Sequence, residues 1–429
     1  MNLLILGAAV SGRAAARLGR RLGHAITIYD EDTSSLDGPA ADGYEVRGGD
    51  WDPRLLEPVD AVVTSPGIPE PAKPIRDSLA SGAPVWSEME FAARHLSQPY
   101  LAVTGTNGKT TVTAATADML RAGGVDAVAA GNIGTALSDI VGTSYEVVVV
   151  EASSFQLRFI ETFHPVGAAI LNITADHLDW HGDVEAYRAA KSRIFENQKA
   201  GDVLVFDADD PGASMAVKPA RSTKVPISGR ERPAGGNGPD GDHLLIGRRR
   251  FPRPQLDPAF MVDVAAAATL ASHLGASDEG VREALGDFAP GDHRRTVVGS
   301  WDAVTWIDDS KATNPHAAAA SAAAYSSVIL IAGGRNKGLD LGRVTNVPSV
   351  RAVVALGEAQ DELAALTDAG RFHPVATLQE AVAAADQLAA AGDVVLLAPG
   401  CASFDMFDSY AHRGDVFAAL VLAHKGGAT

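Results

Sequence analysis

A chain of 429 residues is too long for one ordinary core and points to two or three domains of about 100 to 200 residues each. Hydrophobic residues at 46% are ample for burial, and a formal net charge of -17 excludes a nucleic-acid groove or an anionic membrane surface as the main partner. A single cysteine, Cys401, excludes an internal disulfide and any multi-thiolate metal site.

The opening run Met1-Asn2-Leu3-Leu4-Ile5-Leu6-Gly7 has no basic flank and passes straight into a glycine turn, so it reads as a buried strand and not as a signal peptide. No apolar run approaches the length of a membrane span, and the expectation is a soluble, cytoplasmic chain with no membrane partner. To about residue 97, short apolar runs alternate with helical patterns: strand Leu3 to Leu6, helix Ser11 to Leu22, strand Ala25 to Tyr29 ending at Asp30, strand Ala61 to Thr64. This is the α/β rhythm of a parallel sheet with helices on its faces. The turn Gly7-Ala8-Ala9-Val10-Ser11-Gly12 is similar to a dinucleotide fingerprint without its strict spacing, and Asp30 stands at the strand end where a ribose or base would be read. A fold in which those glycines serve only packing is the alternative. The turn Thr64-Ser65-Pro66-Gly67-Ile68-Pro69 offers hydroxyl and N–H groups to a second phosphate, although Pro and Gly close many strands without a ligand.

A second segment starts near Gln98. The run Tyr100 to Val103, the loop Thr104-Gly105-Thr106-Asn107-Gly108-Lys109-Thr110-Thr111 and the helical pattern Val112 to Arg121 read as strand, glycine loop, helix. Such a loop points backbone N–H groups and a helix N-terminus at one spot, which suits a phosphate. Lys109 would reach the terminal phosphates, and the hydroxyl of Thr110 or Thr111 would sit on Mg²⁺. The general phosphate-loop pattern wants glycine where this chain has Val103. Strands Ala127 to Ala130, Glu146 to Val150 and Gly167 to Leu171 follow, so Thr104, Asn132, Glu151 and Asn172 should converge beyond the strand ends. The acceptor-rich run Asn172 to Gly182 fits hydrated Mg²⁺ better than a transition metal, with Glu151 and His177 serving the metal or its waters, or with His177 only capping the loop. Apolar neighbours of Lys191 permit it an inward orientation. Residues 228 to 258 lose periodicity and read as an irregular excursion before an Ala-rich helix, Val262 to Leu274.

A third segment begins at about Gly291. Strands Val304 to Ile307, Val328 to Ala332 and Val394 to Leu397 precede loops holding Lys311 and Thr313, Lys337, and Ser403, again an α/β pattern with a site along one edge.

Taken together, GTNGKTT (105–111), GNIG (131–134), EASSFQL (151–157), NITADHLD (172–179), YRAAKSRIFENQ (187–198), DDSKATNPHA (308–317), GGRNKG (333–338) and CASFDMFDSYAHRG (401–414) resemble the Mur ligase family of peptidoglycan synthesis, over nearly the whole chain. Within the family the chain looks most like the glutamate-adding member. The resemblance implies three domains: a Rossmann-like N-terminal one at 1–97 for the UDP end of the substrate, a central phosphate-loop ATPase with a parallel sheet at 98–290, and a Rossmann-like C-terminal one at 291–429 for the amino acid. It implies a reaction in which ATP phosphorylates the carboxylate of UDP-N-acetylmuramoyl-L-alanine and the amine of D-glutamate attacks the acyl phosphate. ATP and Mg²⁺ are the implied cofactors, with a monomeric protein and no nucleic acid as partner.

Carried over by position, Gly105 to Thr111, Arg294 and Asp309 match ATP contacts, and Lys109, Glu151, His177 and Lys191 match catalytic positions. Thr110, Glu151, His177 and a carbamylated Lys191 would serve the metal. Ser11, Asp30, Ser65, Asn132, Ser153 and Gln156 fall on the UDP-substrate side, and Lys311, Thr313, Lys337, Ser403 and Tyr410 on the glutamate pocket, where lysines suit two carboxylates. Tyr410 stands where a Phe is familiar, and Arg335 replaces an acidic residue. The family's His-Asn-x-x-Asn run at the last central helix is here Ala259-Phe260-Met261-Val262-Asp263, so only an acidic residue remains. The competing readings are another Mur-type or folylpolyglutamate-type ligase, including one that adds L-glutamate, and an inactive nucleotide-binding relative.

Overall fold

The computed structural model describes residues 1–57, 59–132 and 134–426; Ile133 of the Gly131–Gly134 motif and the side chain of Asp179 fall outside the described residues. The chain divides into two compact units: Met1–Ile173 with Trp180–Phe288, and Thr174–Asp179 with Ala289–Thr429. Among the described residues the strands form four sheets.

The first sheet has the order β3-β2-β1-β4-β5 and is parallel throughout, built from β1 (Asn2–Leu6), β2 (Ala25–Asp30), β3 (Glu45–Gly48), β4 (Ala61–Thr64) and β5 (Val85–Ser87). Leu3, Leu4, Ile5 and Leu6 are all buried, which is why β1 reads as an unbroken apolar run: helices or loops cover both faces of a central parallel strand. Its register, Leu6 opposite Tyr29 and Thr64, brings Gly7, Asp30 and Ser65 to one edge. A Cβ on Gly12 would lie 1.8 Å from the Gly7 carbonyl oxygen, so the helix Val10–Arg21 packs directly on the turn and the two glycines permit that approach.

The second sheet has the order β11-β10-β9-β6-β8-β7, also parallel: β6 (Tyr100–Thr104), β7 (Ala127–Gly131), β8 (Val147–Glu151), β9 (Gly167–Ile170), β10 (Val203–Asp207) and β11 (Thr223–Ile227). Central β6 feeds the helix Lys109–Ala122, which starts three residues before the sequence pattern indicated. One core joins residues of both sheets, with Leu3, Ile5 and Phe91 in the same cluster as Tyr100, Val148 and Phe163. The buried Glu90 carboxylate adds a polar tie, accepting from the backbone N–H groups of Thr162 and Phe163 at 2.9 Å.

Residues 228–258 correct the expectation of an irregular excursion. They carry a three-stranded antiparallel sheet, β12 (Gly238–Asp240), β13 (His243–Ile246) and β14 (Arg249–Pro252). Leu244, Ile246 and Phe251 face inward, but strands of three or four residues separated by Gly241 and Gly247, both in the left-handed region, are too short to display a period. The following helix also begins earlier, at Pro258–His273, where Asp257 accepts from the N–H groups of Ala259 and Phe260 and Pro258 takes the first turn.

The second unit holds β15 (Thr296–Trp301), β16 (Val304–Asp308), β17 (Val328–Gly333), β18 (Val350–Leu356), β19 (Phe372–Pro374) and β20 (Val394–Leu397) in the order β15-β16-β20-β17-β18-β19, parallel except for β15. Ile307, Leu330 and Leu396 pack on one face and Trp306, Ile331 and Leu397 on the other. Because β16, β20 and β17 are adjacent, the three polar loops read from the sequence leave neighbouring strands at one sheet edge.

Candidate active site

The phosphate loop is held by its own backbone and by one asparagine. Thr106 N–H donates to the Asn172 carbonyl and Asn107 N–H to Asn172 Oδ1, each at 2.8 Å, while Asn172 Nδ2 returns a 3.3 Å bond to the Asn107 carbonyl. Gly108 takes φ 84° as the helix begins, a conformation glycine adopts without cost. Val103, where the general pattern wants glycine, is a buried strand residue, so the tight turning falls to Gly105 and Gly108.

Two lysines close on this loop. Lys109 Nζ donates to the carbonyls of Gly105 and Thr106 at 2.9 Å, and Lys191 Nζ donates to the same Gly105 carbonyl at 2.7 Å. Lys191 is only 1% exposed and lies 4.6 Å from the Tyr187 ring centroid, whose hydroxyl bonds Thr106 Oγ1 at 3.2 Å. The inward orientation that the sequence permitted is thus the one adopted. Tyr187 enters the site as a residue that sequence reasoning left aside, although its helical spacing to Lys191 places both on one face.

Glu151 ends β8 and is buried; its Oε1 accepts from Asn132 Nδ2 at 2.7 Å, and its Oε2 is buried with no hydrogen-bond partner. Thr111 Oγ1 is likewise buried and unpartnered, whereas Thr110 is half-buried. Among the described residues no group of three His, Cys, Asp or Glu side chains is placed to hold a metal ion. A spare carboxylate oxygen beside a phosphate loop fits Mg²⁺, which keeps waters and takes phosphate oxygens instead of a full protein cage. His177 belongs to the second unit; its φ is 53° and its Nε2 stands 3.7 Å from Asp176 Oδ2.

On the expected UDP side, Asp30 Oδ2 accepts from Ala8 N–H at 2.7 Å, buried Ser65 reaches the Gly7 carbonyl at 3.5 Å, and Ser11 is half-buried in the first helix. Ser153 and Gln156 form a reciprocal cap at the start of the helix Ser154–Arg158: Gln156 N–H donates to Ser153 Oγ at 3.2 Å and Ser153 N–H to Gln156 Oε1 at 3.0 Å. That capping role is a structural use of two residues matched to substrate.

In the second unit, Lys311 Nζ lies 5.0 Å from the Tyr410 ring centroid, and Lys337 Nζ lies 3.5 Å from Asp176 Oδ1. Thr313 is half-buried and Ser403 is buried in the turn after β20, its carbonyl accepting from Met406 and Phe407 N–H. Arg413, absent from the sequence-derived site, organises these loops. Its guanidinium donates to Ser310 Oγ and to the Ser310 carbonyl at 2.9 Å, and to the Cys401 carbonyl at 3.3 Å. Burial lowers the Arg413 pKa to about 10 and pushes the Cys401 thiol up to about 12, so neither changes charge near neutrality. Burial also raises the Asp309 carboxyl, while the nearby charges of Arg295 and Arg294 pull it back. His293 Nδ1 bonds Asp308 Oδ2 at 2.6 Å, and a Cβ on Gly414 would strike both, which explains the glycine after Arg413.

The chain matches the Mur ligase middle domain over residues 103–234 and the Mur ligase glutamate ligase domain over residues 293–401. It is 42% identical to a UDP-N-acetylmuramoylalanine--D-glutamate ligase of Frankia casuarinae, with 99% of this chain and 95% of that one covered. A protein of the same name from Desulfosudis oleivorans is 40% identical, with 99% and 97% covered. This chain belongs to the Mur ligase family. Among solved structures, the MurF ligase from Thermotoga maritima in complex with ADP shares the fold at a TM-score of 0.62 and 16% identity, covering 94% of this chain and 96% of that one. This Mur ligase is accordingly an ATP-dependent, ADP-forming amide ligase, and its phosphate loop, Glu151 and Lys191 fall within or beside the middle-domain match. No helix among its described residues is long and apolar enough to cross a membrane.

Proposed function

We propose that this Mur ligase adds D-glutamate to UDP-N-acetylmuramoyl-L-alanine in the cytoplasmic stage of cell-wall synthesis, using ATP and Mg²⁺ as a monomer. The domains we assign are 1–97 for the UDP end, 98–290 for ATP and 291–429 for the amino acid. The observation that carries the reading is the convergence of Lys109 and Lys191 on the Gly105 carbonyl, within a loop whose backbone is pinned by Asn172. A preset loop of N–H groups with the Lys109 cation beside it is suited to a transferring phosphoryl group, where catalysis is positioning and charge neutralisation.

The chemistry divides into two transfers. The alanyl carboxylate takes the γ-phosphoryl group of ATP and ADP leaves; the glutamate amine then forms the C–N bond, loses a proton, and expels phosphate. Lys109 neutralises charge at the terminal phosphates when it leaves the loop carbonyls. Bound Mg²⁺ would be held by Glu151 Oε2 and Thr110, and it would supply charge neutralisation at phosphate oxygens. Lys191, carbamylated, would become a carboxylate-like group for a second ion; an intact mass of active protein lacking the added carbamate would count against this. Asp30, Ser11, Ser65 and Asn132 orient the UDP-sugar, with Ser153 and Gln156 bordering it through backbone groups that their cap positions. Arg294 and Asp309 serve the nucleotide. Lys311, Thr313, Lys337, Ser403 and Tyr410 hold glutamate, two lysines answering two carboxylates.

The test is phosphate release from ATP plus UDP-N-acetylmuramoyl-L-alanine with D-glutamate, L-glutamate or another amino acid offered singly. Release with D-glutamate alone is expected. Release with a different amino acid would reassign the substrate, and none with any would sink the catalytic reading.

A further inference from the structure

We propose that Glu70 and Arg158 form a clasp that holds the turn at residues 65–69 in place for the diphosphate of the UDP-linked substrate. This rests on the UDP-side assignment in the function proposed above. Glu70 directly follows that turn, and Arg158 ends the helix Ser154–Arg158, whose start carries the Ser153–Gln156 cap. Arg158 Nε donates to Glu70 Oε2 at 2.8 Å and Arg158 Nη2 to Glu70 Oε1 at 2.6 Å, so the guanidinium fork meets both carboxylate oxygens. The arginine is itself held on a fixed base. Arg193 donates through Nη1 to the carbonyls of Leu157 and Arg158 and through Nη2 at 2.8 Å to that of Ile160, which satisfies acceptors at the end of the helix.

The consequence follows from how the turn is seated. Its start is fixed by the sheet, where Ser65 N–H donates to the Leu6 carbonyl at 2.9 Å. A Cβ built on Gly7 would meet Ser65 Oγ at 2.6 Å and Ile68 Cδ1 at 3.5 Å, so the turn lies directly on the glycine turn after β1. Ile68 packs against a cluster that joins Leu4, Leu6 and Val62 of the first sheet to Phe159, the residue after Arg158. At the far end Pro69 and Pro71 have no N–H to give, and Glu70 between them ties the turn to the helix. The clasp therefore sets the hydroxyl and N–H groups of the turn against the helix that borders the substrate. Holding them before the ligand arrives removes an ordering cost from binding. Glu70 and Arg158 are positioning residues, and a half-exposed pair of this kind has a modest effect.

Calorimetric titration of UDP-N-acetylmuramoyl-L-alanine into the full chain, with ADP as a second ligand for the phosphate loop, tests this without turnover. R158A and E70A should each weaken the UDP ligand about fivefold and leave ADP binding unchanged, which also shows that the variants fold. The double variant should bind no more weakly than either single one, because both remove the same contact. R158K keeps the charge at the helix end but loses the fork, so it should behave as R158A does. Wild-type affinity in R158A, losses that add in the double variant, or an equal loss of ADP binding would overturn the inference. R158K at wild-type affinity would overturn it too, reducing Arg158 to a favourable charge at a helix C-terminus. Wild-type protein that takes ADP but not the UDP ligand would sink the substrate assignment and the inference together, while failure with D-glutamate in the phosphate-release assay would leave this titration readable.

Discussion

The phosphate loop and the loops of the C-terminal unit are stabilised in opposite ways. The first is made of backbone: glycines at the turning points, carbonyls that receive Lys109 and Lys191, N–H groups that donate to Asn172. The second is made of side chains from distant places in the sequence, with Arg413 reaching across about a hundred residues to Ser310 and Tyr410 positioned against Lys311. A phosphate is the same guest in every protein and can be met by a generic backbone concavity. An amino acid with two carboxylates needs a particular side-chain set, and that set must be buttressed.

The contrast can be broken at its strongest point by Lys109→Ala. Turnover should fall by on the order of 10³-fold while UDP-substrate binding stays largely intact, measured as phosphate release beside equilibrium binding. Loss of both would mean the two sites are not separable. Arg413→Ala should cost about 3 kcal/mol of stability in denaturant titration, because Ser310 and Cys401 lose a buried charged donor, and should raise the KM for the amino acid far more than that for ATP. An equal rise in both would erase the distinction.

Glu88 sharpens the picture of the first unit. Its Oε1 accepts from Ser138 N–H at 2.6 Å, its Oε2 has no partner, and burial raises the carboxyl from 4.5 to about 7. The folded chain therefore holds a proton that the unfolded chain has released between those values. The contribution of about 3 kcal/mol is complete below pH 4.5 and is lost as pH rises through 7. Glu88→Gln should flatten that part of the stability profile, checked by urea unfolding at pH 5 and pH 8. The smallest effect is expected for Asn172→Ala, a roughly tenfold rise in the KM for ATP with kcat less affected, since the loop keeps its glycines and lysines.

The same contrast explains what could be read from the sequence. Gly105, Gly108, Lys109 and the flanking strand and helix stand within a dozen residues, so their chemistry was legible as a spacing. Lys191 was legible only as permitted, because burial of a lysine depends on packing that Tyr187 and the loop supply. Arg413 gave no local signal: an arginine in a helical pattern usually faces solvent, and its partners lie on other elements. The sheet of residues 238–252 escaped because its strands are shorter than the window in which alternation can be recognised. Ser153 and Gln156 carry a local signature of their own, the cap spacing of a helix start, which the reciprocal hydrogen bonds of the helix Ser154–Arg158 realise.

Tyr410 and Arg413 are three residues apart on the last helix, Tyr410–Gly426, and both are used. At about 100° per residue, a single insertion between them would swing the guanidinium away from Ser310 while the ring stayed in place, so this stretch tolerates exchange of residues far better than a change of length. The far end of the same helix is tied differently, His424 and Lys425 both pairing with Asp386, so an insertion there would cost that ion pair and leave the Arg413 contacts untouched.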